Sequence, residues 1–168
     1  PQKGASPETA EKLDKALEHF YKITRILNDR ADMNVPGSGA AGGLGFAFLN
    51  YTNAVLKSGA DIVLSELEFE RHIKEADIVV TGEGRLDAQA VMGKAPIAVA
   101  KLAKKHGKIV IAFAGCVTKD ARVCNNNGID AFFPAVRGIT TLDEAMNREI
   151  AFENLKDTAE QVFRLLTK

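Results

Sequence analysis

The stretch Thr81-Gly82-Glu83-Gly84-Arg85-Leu86-Asp87-Ala88-Gln89 sets two carboxylates, one guanidinium and two glycines in what reads as a single turn. It follows Asp77-Ile78-Val79-Val80, a short apolar run with the pattern of a buried parallel strand. In open α/β sheets ligands collect beyond the carboxyl ends of strands, which is where this loop falls. Its glycines would let backbone N–H groups approach an anion, and Arg85 could grip a phosphate or carboxylate with two hydrogen bonds. Glu83 and Asp87 could bind a metal or take a proton. The competing reading is a solvated turn with a surface ion pair; the position after a strand favours a site.

A second candidate is the segment Gly37-Ser38-Gly39-Ala40-Ala41-Gly42-Gly43-Leu44-Gly45. Gly37, Gly39 and Gly42 match the dinucleotide fingerprint letter by letter, but a long helix and Pro36 precede them where a strand is required. No Lys-Ser or Lys-Thr follows, which excludes a Walker loop. What remains is a helix start with unobstructed backbone donors and the Ser38 hydroxyl, suited to a phosphate or carboxylate. Close packing through small residues is the alternative. Lys94, just before Ala95-Pro96, could reach a phosphate near Arg85, or could be an ordinary surface lysine. Arg137, after the third strand, is a further candidate anion contact.

The elements that must position these residues are legible along the chain. Ser6-Pro7-Glu8 starts a helix, and Leu13, Leu17, Phe20, Ile23 and Leu27 predict an apolar face running to about Asn28. The glycine-rich segment leads into a small-residue helix ending near Thr52. Residues 60–72 are ambiguous, strand-like at Ile62-Val63-Leu64 and helix-like from Glu66 to Ile73. From Asp77 the pattern alternates: strand 77–81, helix from Pro96 to His106 stopped by Gly107, strand 108–114, a short helix near 119–126, strand 130–135. Loops Thr81 to Asp87, Ala114 to Thr118 and Ala135 to Gly138 should share one sheet edge. Thr141 and Glu144 fit a capping box, and Phe152, Leu155, Ala159, Val162 and Leu166 stripe a last helix.

Composition bounds the function classes. The 168 residues are 46% hydrophobic and 26% charged, which is globular, and Lys+Arg and Asp+Glu both number 22. A net charge of zero offers no basic face for nucleic acid or an anionic membrane. No apolar run nears the roughly 18 residues of a membrane span and the opening lacks a signal-peptide centre, so the chain reads as cytoplasmic. Cys116 and Cys124, seven residues between them, lack metal or redox spacing and read as reduced thiols. His19, His72 and His106 form no ligand cluster in sequence.

Taken together, Pro36 to Gly45, Thr81 to Asp87 and Gly93-Lys94-Ala95-Pro96 resemble the signature blocks of the glycerate kinase family, of the type related to bacterial glycerate 2-kinases. The opening Pro1-Gln2-Lys3-Gly4-Ala5 is similar to a family motif as well. The likeness covers essentially the whole chain. Family members are roughly twice this length, on a two-domain scale, so the resemblance implies a carboxyl-terminal portion. The absence of an initiator Met agrees. The implied fold is α/β: a parallel-sheet, flavodoxin- or Rossmann-like domain over residues 59–168. Residues 1–58 would be a helical and glycine-rich segment from a second α/β domain, completing an inter-domain cleft.

The implied activity is transfer of the ATP γ-phosphoryl group to D-glycerate with Mg²⁺, giving 2-phosphoglycerate in preference to the 3-isomer. By resemblance Asp87 is the general base or metal-organising carboxylate and Glu83 a metal-proximal acid. Arg85 and Lys94 are clamps, and Gly37, Ser38, Gly39 and Gly42 an anion cradle. Ser38 stands where Ala is usual, Ala90 where Thr is common and Cys116 where Ser is frequent. Partners are the small-molecule substrate and the missing amino-terminal portion, without which the chain should be inactive, with a homo-oligomer also open. The rival readings are a non-catalytic module that binds a hydroxy acid or nucleotide, and a nicotinamide-dependent enzyme using the Gly37 to Gly42 string.

Overall fold

The structure is a computed structural model that describes residues 4–166, so the first three residues of the opening motif Pro1 to Ala5 lie outside the described residues. The chain divides into two compact units, residues 1–57 and 58–168.

In the first unit, α1 (Pro7–Leu27) starts where Ser6 and Pro7 predict it. The Thr9 N–H donates to Ser6 Oγ at 3.1 Å, and Pro7 supplies the fixed φ of a first turn. The buried face differs from the expected stripe. Leu13, Ile23 and Leu27 are exposed, while Thr24 is fully buried. Thr24 Oγ1 donates to the Phe20 carbonyl and lies 2.9 Å from Tyr51 Oη, which satisfies a hydroxyl that would otherwise be costly to bury. The partner is α2 (Ala40–Tyr51), with Phe20 edge-on to Phe46 at 5.4 Å and stacked on Tyr51 at 6.1 Å.

Helix α2 is not regular at its start. Ala41, Gly42 and Gly43 all have positive φ, so ordinary helical turns begin only after Gly43. Gly45 must be glycine because a Cβ there would meet the Gly37 carbonyl oxygen at 2.2 Å.

The second unit opens with α3 (Gly59–Glu66) and α4 (Phe69–Glu75), which resolves residues 60–72 as two helices joined by a turn, with no strand. The Ser58 side chain caps α3, and Glu68 in the left-handed region separates the two. Next come β1 (Ile78–Leu86), a 3₁₀ turn at Ala88–Val91, α5 (Ala95–Lys105), and β2 (Ile109–Val117). A second 3₁₀ segment, Lys119–Asn127, leads to β3 (Ala131–Pro134), then α6 (Leu142–Met146) and α7 (Arg148–Leu166). The sheet is parallel with order β1-β2-β3, an α/β arrangement as expected. The capping box of Thr141 and Glu144 forms with both of its hydrogen bonds. Among the described residues no helix is long and apolar enough to cross a membrane.

One face of the sheet packs Val79, Leu86, Val110, Ala112 and Ala114 against Ile97, Ala100 and Ala103 of α5 and Ile73 of α4. The other packs Ile111 and Phe113 against Val162 of α7.

The expected turn at Thr81 to Asp87 is corrected here: β1 continues as strand through Gly82, Glu83, Gly84 and Arg85 to Leu86. It is paired from Ile78 opposite Ile109 to Leu86 opposite Val117. The glycines do not end the strand because they let two backbones meet closely. A Cβ on Gly82 would lie 2.3 Å from the Phe113 carbonyl oxygen, and one on Gly115 would lie 2.6 Å from that of Gly84. Both strands also change phase in this stretch. Val79 and Leu86 share the α5-facing core although an odd number of positions separates them, and so do Ala114 and Val117.

Gly82→Ala and Gly115→Ala should each lower unfolding stability by about 2–3 kcal/mol, because strand backbone rather than a flexible side chain must move. Chemical denaturation checks this; Gly84→Ala, where a Cβ meets nothing within 4 Å, should cost less.

Candidate functional site

The end of β1 brings four of the sequence-predicted residues together in a chain of ion pairs, Glu83–Lys94–Asp87–Arg85. Lys94 Nζ lies 3.6 Å from Glu83 Oε2 and 3.6 Å from Asp87 Oδ1, and Arg85 Nε lies 3.6 Å from Asp87 Oδ2. The side chains of Glu83 and Asp87 are 18% and 19% exposed, whereas those of Lys94 and Arg85 are 40% and 65% exposed. Two sheltered carboxylates thus face solvent through a pair of cations, and the four formal charges cancel.

Each side chain has a local reason for its place. Glu83 shares Val79's parity on β1 and stands opposite Ala114, a core residue of the α5 side, just before the strands change phase. That directs it towards the start of α5, whose N-cap is Lys94. Gly93, with φ of 92°, turns the chain into that position, and the Lys94 N–H donates to the Ala90 carbonyl at 3.3 Å. A cation at a helix N-terminus opposes the helix dipole, and the Lys94 side chain makes no capping bond. The two carboxylates, not the helix, stabilise it there.

One oxygen of the cluster has no protein partner. Glu83 Oε1 is buried and accepts no hydrogen bond. A buried carboxylate oxygen without a donor costs about 1–3 kcal/mol or more, and so it is the atom from which a bound cation or a ligand hydrogen-bond donor would gain most.

Asp87 is fixed from both sides by residues not singled out from the sequence. Its Oδ1 accepts the Gln89 N–H at 3.0 Å. On the preceding peptide, the Leu86 carbonyl accepts both the Thr118 N–H at 3.0 Å and the Thr118 hydroxyl at 3.2 Å. On the following one, the Ala88 N–H donates to Asp120 Oδ2 at 3.4 Å, and the Thr118 hydroxyl also bonds Asp120. The Cys124 thiol points at the Asp87 carbonyl at 3.8 Å. Burial, then the negative charges of Glu83, Asp87 and Asp120, pushes the Cys124 thiol up, so it stays a protonated donor and not a nucleophile. Thr118-x-Asp120 directly after β2 was the available signal: short polar side chains there bond nearby backbone.

Other expected residues lie elsewhere. Arg137 does not join the cluster; it pairs with Asp157 of α7. Cys116 is exposed on β2 opposite Arg85. In the first unit, Gly37 has φ of 92° and packs under Leu56, while Gly39 and Gly42 have open space where a Cβ would be. Ser38 is 5% exposed and its hydroxyl has no hydrogen-bond partner. Among the described residues no group of three or more His, Cys, Asp and Glu is placed to hold a metal, so any cation at Glu83 and Asp87 would rely on two carboxylates plus ligand and water oxygens.

Comparison with known proteins identifies the family. The profile of the glycerate kinase family matches residues 1–167. The chain is 44% identical to a glycerate kinase of Haemophilus influenzae over 99% of its own length and 43% of that protein's. It is 44% identical to the glycerate 2-kinase of Escherichia coli over 92% of its length and 40% of the relative's. A crystal structure of a candidate glycerate kinase 2 from Salmonella typhimurium LT2 superposes with a TM-score of 0.68 at 40% identity, covering 99% of this chain and 42% of that one. The chain therefore spans about two fifths of the length of the curated relatives it matches.

The clamp beside Asp87 makes a pH-dependent prediction. The hydrogen bond from Thr118 outweighs the opposing effect of desolvation and, with the weaker help of the Ala88 N–H, holds the Asp120 carboxyl below the usual aspartate range. A depressed folded-state value stabilises above the ordinary aspartate pKa and is lost as pH falls through the depressed one. Protection of the Ala88 amide against hydrogen exchange, corrected for intrinsic rates, should fall in that acidic window and lose the dependence in Asp120→Asn. Thr118→Val should speed that exchange about fivefold at neutral pH.

Proposed function

The chain belongs to the glycerate kinase family, and we propose that it contributes the phosphoryl-transfer residues of an enzyme converting D-glycerate and ATP to 2-phosphoglycerate and ADP. The observation that carries this reading is the Glu83–Lys94–Asp87 cluster at the carboxyl end of β1, with one buried carboxylate oxygen left unpartnered. The 2-hydroxyl as acceptor follows the name of the Escherichia coli relative.

Phosphoryl transfer asks little covalent work of a protein; it needs positioning, charge neutralisation and a proton acceptor at the attacking oxygen. Asp87 is suited to the last task. Its Oδ1 accepts the Gln89 N–H and also faces Lys94, while Oδ2 faces the Arg85 guanidinium at a distance too long for a strong hydrogen bond. As the glycerate hydroxyl oxygen bonds to the γ-phosphorus and the bond to the ADP oxygen breaks, the hydroxyl proton passes to Asp87. Lys94 and Arg85 hold the oxygens of the transferring group or the glycerate carboxylate. Gly37, Ser38, Gly39 and Gly42 provide backbone donors for an anion in the first unit.

Mg²⁺ fits the donor set in chemistry: Glu83 and Asp87 are hard oxygen ligands, and Glu83 Oε1 lacks any other partner. When bound, the ion would neutralise charge on the phosphate oxygens.

The test is glycerate-dependent ADP release by a polypeptide of full family length that carries this chain. Asp87→Asn should lower kcat by about 10²–10⁴-fold with KM for ATP little changed. Lys94→Ala should raise KM as well as lower kcat, since it removes a cation from both substrates and leaves two carboxylates facing each other. Ligand binding without glycerate-dependent turnover would instead favour a non-catalytic binding module.

A further inference from the structure

We propose that the cavity formed by α1 and the glycine-rich loop of the first unit is a nucleoside site, taking a ribose and a flat base. It encloses about 390 Å³, within the range of small-molecule pockets. Its lining includes Asp14, Tyr21, Met33, Asn34, Ser38 and Gly39.

Three observations specify the occupant. Ser38 is more than nine-tenths buried at the cavity wall, and its Oγ has no partner, so a ligand hydroxyl or ring nitrogen would satisfy a group that the protein leaves unpaired. Asp14 lies on the same wall with no ion-pair or hydrogen-bond partner among the described residues. Glu18, which also lines the cavity, is occupied by Lys22, whose hydrogen bond and charge hold its carboxyl below the usual range. A free carboxylate repels phosphate and glycerate but accepts from both hydroxyls of a vicinal diol, the chemistry of a ribose. Apart from Asn34, the rest of the wall is glycine, aliphatic, thioether or aromatic: Phe20 and Tyr21 pack on Phe46 at 5.4 and 6.0 Å, and the half-exposed Met33 offers a polarisable surface for a base.

Phosphates attached to such a nucleoside would leave the acidic part of the cavity. Gly39, on the lining, has open space where a Cβ would stand, and the left-handed run from Ala41 to Gly43 follows it. The choice of ATP as the physiological occupant rests on the kinase reading; recognition of a nucleoside rests on the cavity alone.

The test is titration of a family-length polypeptide carrying this chain with adenosine, with ADP and with pyrophosphate alone, followed by calorimetry and backbone-amide chemical shifts. Adenosine and ADP should bind saturably and move the Tyr21, Ser38 and Gly39 resonances. Asp14→Asn, at an exposed helix position, and Ser38→Ala should each weaken adenosine about tenfold, whereas Glu11→Gln, elsewhere on α1, should not. In a family-length polypeptide Asp14→Asn should raise KM for ATP about tenfold and leave kcat and KM for glycerate unchanged. Adenosine binding that is absent, or indifferent to both substitutions, overturns the proposal, as does pyrophosphate alone reproducing the shifts. Adenosine binding that depends on Asp14 in a polypeptide without glycerate-dependent turnover would sink the kinase reading and leave the nucleoside site standing.

Discussion

A methyl group at Gly82 would meet the Phe113 carbonyl oxygen at 2.3 Å, and one at Gly115 would meet that of Gly84 at 2.6 Å. Because neither position carries a side chain, β1 and β2 stay paired to Leu86 and Val117. The consequences reach the chemistry. An extended β1 puts Glu83 on a rigid sheet instead of a loop, and the shared change of phase lets Leu86 return to the core while Arg85 turns to solvent. Functional side chains on strands are held more firmly than those on loops, which suits a cluster whose distances must persist.

The second dependence is electrostatic. Lys94 opposes the dipole of the helix it begins, and its two carboxylate neighbours offset that cost. The arrangement also keeps Glu83 and Asp87 from repelling one another at short range. It remains incomplete at Glu83 Oε1, the observation on which the proposed site rests. Behind it, Thr118 and Asp120 grip the peptides on either side of Asp87, so the end of β2 determines where the β1 carboxylate sits.

Elements announced by local signals were legible in the sequence. The Ser6-Pro7 start, the Thr141–Glu144 capping box and the stop at Gly107, whose φ is 66°, all depend on neighbours a few residues away. What depends on distant partners was not. Glycine usually ends a strand, and only the approach of β2 shows why Gly82 and Gly84 continue one. Thr24 is buried because of Tyr51, and Leu13 and Leu27 are exposed despite their apolar spacing. Of the candidate site residues, Glu83, Arg85, Asp87 and Lys94 come together as a group. Arg137 is drawn to Asp157 of α7; the apolar stripe of that helix announces its docking through Ala159 and Val162, but not the ion pair that docking creates.

The most direct measurement is a crystal structure of a family-length polypeptide carrying this chain, with Mg²⁺, a non-hydrolysable ATP analogue and D-glycerate bound. The expected result has the glycerate 2-hydroxyl within hydrogen-bond reach of Asp87 Oδ2, the ammonium of Lys94 on a terminal phosphate or carboxylate oxygen, and Glu83 Oε1 newly partnered. Glycerate and the terminal phosphate bound away from Glu83, Asp87 and Lys94, with Glu83 Oε1 still unpartnered, would contradict it.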